Sequence, residues 1–119
     1  MCQRVEIQIS GLVKDQGLLG AVARLGDKWG GAAFDIVDHW EANLNGIGLA
    51  RRDDHSVLVY VDNFGSLGDT YCVELEGPPD PSGDLPYSSI ARYDSVSFEE
   101  LSHLVGQHLG LVDPRPNGR

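Results

Sequence analysis

The run "VLVYV" (57–61) places five apolar residues in succession, three of them valine. It is far short of the roughly 20 residues needed to cross a bilayer. As a strand it is apolar on both faces, so it belongs at the centre of a sheet, with neighbours on either side. The flanking sequence supplies them. Upstream, "GIGLARRDDHSVLVYVD" reads as a hairpin with "RRDDHS" near its turn. Downstream, beyond the glycine-rich loop "DNFGSLGD", the segment "TYCVELE" alternates. Tyr71, Val73 and Leu75 take the inward face; Cys72, Glu74 and Glu76 take the outward one.

Other segments add to this centre. "RVEIQIS" (4–10) alternates as a half-buried strand. Asp15 caps a helix running to about Trp29, with Leu18, Val22, Leu25 and Trp29 as one stripe and Gly30-Gly31 as its stop. "AAFDIVDHWEA" (32–42) is a strand with Phe34, Ile36 and Trp40 on one face and Asp35, His39 and Glu41 around Val37 on the other. Asp38 falls between Ile36 and Trp40 on the inward side, which calls for a bulge or a partner such as Arg51 or Arg52. "GPPDPSGDLPY" (77–87), with four prolines, is an exposed binding or cover loop, and "SSIARY" a short last strand. In "SFEELSHLVGQHLG", Ser97 and Glu100 form a capping box. Phe98, Leu101, Leu104, Val105 and Leu109 form the apolar stripe, and Gly110 ends the helix. The sum is an α+β fold: a mostly antiparallel sheet of five to six strands with two helices packed on one face. Residues 1–112 form one domain, and 113–119 a loose C-terminal tail.

Charge narrows the functional classes. The 119 residues carry 18 Asp and Glu against 9 Lys and Arg, a net −9. Between Ala33 and Glu100 stand fourteen acidic and three basic residues (Arg51, Arg52, Arg92). Such a domain does not track a phosphate backbone by itself. It either carries a solvated acidic face or presents a docking surface to a basic protein. Cys2 and Cys72 make no disulfide framework, and Arg4, Glu6 and Gln8 interrupt any N-terminal apolar run. A reducing, cytoplasmic setting is the expectation.

The motifs for chemistry are sparse. His103 and His108, five apart, do not share a helix face as metal ligands do. "DNFGSLGD" lacks the residue order of a calcium loop. "GIGLAR" leads into a strand rather than a helix, so the dinucleotide reading fails, and no nucleophile elbow, phosphate loop or C-x-x-C occurs. Glu74, two residues from Cys72, works against a nucleophilic thiolate. Asp35, His39 and Glu41 share one strand face and leave open a small enzyme or ligand-binding domain, although no Lys follows Lys28 to act as electrophile. No metal or cofactor is expected.

Taken in order, the N-terminal strand, the "GLLGAVARL" helix, the "SVLVYVD" hairpin, the glycine-rich turn, the proline- and acid-rich excursion before a Tyr, and the "SFEELSHLVGQHL" helix resemble the Imm1-type immunity proteins of bacterial polymorphic toxin systems. The similarity spans roughly residues 4 to 110. The chain departs from that pattern at its end, "LVDPRPNGR", where the family continues with a strand carrying a Pro and a Trp. The resemblance implies stoichiometric, non-catalytic neutralisation of a cognate toxin, often a nuclease or nucleic-acid deaminase, by covering its basic cleft. The contact candidates are Asp62 and Asp69 at the loop, Glu74 and Glu76 on the outward face, and Asp80, Asp84 and Tyr87 in the excursion. Trp40 and Tyr60 are either anchors or core. An equally acidic phage-type inhibitor of a host protein fits the same residues.

Overall fold

The computed structural model describes residues 14–37, 44–63, 70–83 and 88–111. Their order is helix α1 (Gln16–Trp29), strands β1 (Phe34–Val37), β2 (Gly46–Arg51), β3 (Asp54–Asp62), β4 (Tyr71–Gly77) and β5 (Ser88–Val96), then helix α2 (Phe98–Leu109). The strands pair antiparallel in the order β1-β2-β3-β4-β5, so every connection leads to the adjacent strand. The Val57–Val61 run lies in β3, the middle strand, as its two apolar faces require. The strand predicted over 4–10 lies outside the described residues.

Both helices begin and end where their local chemistry dictates. The Asp15 carboxylate accepts from the Leu18 amide (3.2 Å), and Gly30, at φ 105°, ends α1. Asp15 also accepts from the Asn63 side chain at 2.8 Å. Asn63 in turn accepts from the Asn45 side chain at 2.9 Å, so the start of α1 is tied to the ends of β2 and β3. The Asn63 hydrogen bond, followed by the Leu18 amide, holds the Asp15 carboxyl below the usual carboxylate range. In α2 both halves of the capping box form, and Gly110 closes the helix in the left-handed conformation at φ 69°.

Strand register separates two faces. Phe34, Ile47, Leu49, Val59, Val61, Tyr71, Val73, Leu75 and Val96 share one core with Leu18, Ala21, Val22 and Leu25 of α1 and Leu101, Val105 and Leu109 of α2. Both helices therefore cover the same face, and each buried aliphatic side chain contributes about 1.5–3 kcal/mol. The opposite face presents Asp35 and Val37; Gly46, Gly48 and Ala50; Leu58, Tyr60 and Asp62; then Cys72, Glu74 and Glu76 beside Arg92.

The last strand runs further than "SSIARY". Register shifts at two points, one between Leu75 and Glu76 and one between Tyr71 and Val73, mark extra residues in β5. Ser95 takes the left-handed conformation (φ 58°) at the second, a strain of about 1–2 kcal/mol. That bulge turns Val96 into the core beside Tyr71.

Candidate functional site

On the face away from the helices, β3, β4 and β5 present four carboxylates: Asp62, Glu74, Glu76 and Asp94. Arg92 is the one cation among them in the described residues. Glu74 stands opposite Tyr60 on one side and Arg92 on the other. Alternate residues on a strand are about 7 Å apart, so Glu74 and Glu76 act on each other directly.

Burial divides the cluster. Asp62 is 4% exposed and accepts a 2.7 Å hydrogen bond from the Tyr60 hydroxyl. Glu76 is 8% exposed; burial first, and the Glu74 charge second, push its carboxyl up from 4.5 to about 6. Alternation placed Glu76 on the correct face but not at this depth, and Asp62, expected at the loop, ends β3 on the same face and is buried. Glu74 is half-buried, and Arg92 and Asp94 are exposed. Asp80 is also exposed, in the excursion, where its carboxylate accepts from the Ser82 amide and hydroxyl (both 3.0 Å) and is held below the usual range by them. Asp69, Asp84 and Tyr87 lie outside the described residues. Tyr60 sits on the acidic face rather than in the core beneath the helices; Trp40 lies outside the described residues.

Asp94 joins the site although no reading of "SSIARY" includes it. It accepts from the Cys72 thiol (3.3 Å) and from Arg92 Nε (3.4 Å). Its signal in the sequence is the spacing Arg92-x-Asp94, which alternation would have carried to this face had the strand been extended to Val96. The carboxylate that acts on Cys72 is thus Asp94 across the ladder, not Glu74 along the strand. Burial first, and then the Asp94 hydrogen bond, raise the thiol above its ordinary value. The raised value favours the thiol over the more nucleophilic thiolate at neutral pH.

Of the acid–base set, only Asp35 lies within the described residues. Asp35 is held by the hairpin turn, 3.3 Å from Arg52 Nε and 2.7 Å from His55 Nε2. His39, Glu41 and Asp38 lie outside the described residues. His108 Nε2–H donates to the Glu76 carbonyl at 2.8 Å, docking the end of α2 onto β4, whereas His103 is exposed. Among the described residues no group of three or more His, Cys, Asp or Glu side chains is placed to hold a metal ion. No helix among them is long and apolar enough to cross a membrane.

Compared with known proteins, the chain matches no protein family, no curated protein and no solved structure.

Proposed function

We propose that this chain is an acidic, non-catalytic inhibitor that neutralises a basic protein toxin of nuclease or nucleic-acid deaminase type by covering its substrate cleft. The reading is carried by the β3–β5 face, which presents four carboxylates and one guanidinium, Arg92, opposite Glu74 and 3.4 Å from Asp94. A cleft that binds nucleic acid is basic because it neutralises phosphates. A rigid acidic face is its electrostatic complement, speeding encounter and fixing orientation. Glu74, Asp94 and Asp80 are the accessible carboxylates and make the contacts; Asp62 and Glu76 add field from beneath. The resemblance to Imm1-type immunity proteins points to the same class of partner, and the toxin would belong to a bacterial competitor system.

The test is to co-express the chain with the toxin domain encoded beside its own gene and measure protection, complex stoichiometry and affinity. A 1:1 complex is expected that blocks the toxin's activity. Reversing Glu74→Lys together with Asp94→Lys should weaken it on the order of 100-fold at low ionic strength. Unchanged affinity in that double variant would remove the face from the interface. Absence of any complex with a basic toxin domain would remove the function.

A further inference from the structure

The groove between α1 and α2 has the opposite electrostatic character to the sheet face. It encloses about 300 Å³, walled by Arg24, Lys28 and Trp29 from α1 and by Phe98, Glu99, Ser102 and His103 from α2. In a chain with twice as many acids as bases, this groove holds two permanent cations against one carboxylate. The Arg24 guanidinium lies 3.7 Å above the Phe98 ring, and Lys28 Nζ lies 5.4 Å from the centre of the Trp29 ring. Neither cation is ion-paired within the described residues, whose salt bridges all lie elsewhere. Stacking restrains both cations but leaves their N–H donors unspent.

A second, independent observation sits in the same wall. Ser102 is 5% exposed, and its Oγ is a buried polar atom without a hydrogen-bond partner. An orphaned hydroxyl costs about 1–3 kcal/mol, so the wall behind the two cations carries one polar atom that the fold leaves unspent. The wall around it is rigid. The Trp29 indole N–H donates to the Ser102 carbonyl at 3.3 Å, so the ring cannot swing freely.

We infer that this groove binds a small organic phosphate monoester. A guanidinium fork matches two phosphate oxygens, and the ammonium adds a point charge, which together suit a dianion better than a carboxylate. The volume stands at the lower end of small-molecule sites, about 300 Å³, and leaves room for an organic body beside the phosphate. Phe98 and Trp29 provide apolar surface for that body. Glu99 disfavours a more highly charged ligand and accepts from a ligand hydroxyl. The site lies on the helix side of the sheet, so it is independent of the acidic docking face.

The inference is tested by titrating the full ¹⁵N-labelled chain with phenyl phosphate and following its amide and indole signals by NMR. Saturable shifts are expected at Arg24, Lys28, Ser102 and the Trp29 indole. Arg24→Gln and Lys28→Gln should each weaken binding about tenfold or more. Arg51→Gln, which removes one positive charge at the β2–β3 turn, should leave it unchanged. Benzoate and inorganic phosphate should each bind about tenfold more weakly or less. Three results overturn the assignment: no saturable shift in the groove, an Arg51→Gln effect as large as that of Arg24→Gln, or benzoate binding as tightly as phenyl phosphate.

Discussion

Two glycines inside helices should respond to alanine with opposite signs. Gly106 lies in the interior of α2, where glycine costs about 0.8–1 kcal/mol relative to alanine. By propensity alone, Gly106→Ala stabilises. The packing reverses that sign. A β-carbon built at Gly106 falls 2.6 Å from Cη2 and 2.9 Å from Cε2 of Trp29, and closer still to Cζ2. These are ring atoms rather than the end of a flexible chain, and the indole N–H is committed to the Ser102 carbonyl. Making room strains the helix pair by about 1–3 kcal/mol and risks a hydrogen bond of about 0.5–1.5 kcal/mol. After the propensity gain, Gly106→Ala should destabilise by about 1–3 kcal/mol in urea unfolding at unchanged m-value. Gly20 in α1 is the internal control. It is exposed, with no atom within 4 Å of an added β-carbon, so Gly20→Ala should stabilise by about 0.8–1 kcal/mol. If both alanines stabilise, Trp29 does not rest on Gly106 and the geometry assigned to the α1–α2 groove fails with it.

Glu76 makes stability depend on pH. Its folded-state carboxyl, near 6 rather than 4.5, binds protons more strongly than the unfolded chain does, so stability falls as pH rises through 4.5 to 6 and beyond. The displacement corresponds to about 2 kcal/mol at 1.36 kcal/mol per pH unit. With solvent screening of the half-exposed Glu74, about 1–2 kcal/mol is expected. Glu76→Gln should therefore exceed the parent in stability by that amount at pH 8 and match it below pH 4.5; a constant difference across the range would show that the carboxyl titrates normally. At the start of α2, Ser97→Ala removes the hydroxyl that accepts from the Glu100 amide at 3.1 Å. It should cost about 1 kcal/mol in urea unfolding, and no measurable loss would mean that water caps the helix equally well.

What the sequence reveals follows the range of the forces involved. The helix ends at Asp15, Gly30, Ser97 and Gly110 were legible because a cap is decided within three or four residues. The sheet order was legible because short connections in a run of strands leave little choice, and alternation then sorted Tyr71, Val73 and Leu75 from Cys72, Glu74 and Glu76. Depth was not legible. Glu74 and Glu76 look alike along the strand, yet one is half-buried and the other buried, and alternation reports only the face, not the depth. Asp94 was not legible because "SSIARY" ends at Tyr93, and nothing in the residue pattern announces that the strand continues through a bulge with Ser95 at φ 58°. The Arg24–Lys28 groove and the Asp15–Asn63 tie each need two segments brought together from distant parts of the chain, and no periodicity reports that.

The buried and exposed carboxylates of the sheet face also bear on why such a face exists. A solubilising surface needs charge only at its outer atoms, where water screens it. Glu76 is instead buried beside Glu74, and its raised carboxyl records the work of holding a second negative charge there. Charge kept at a cost to the fold is a feature of sites rather than of plain surface. A cationic partner would offset that cost, lowering the Glu76 carboxyl as it binds. The free-energy penalty in the isolated chain then becomes part of the driving force for association. On the proposed reading, a cationic partner supplies a reason to bury Asp62 and Glu76 that decoration for solubility does not.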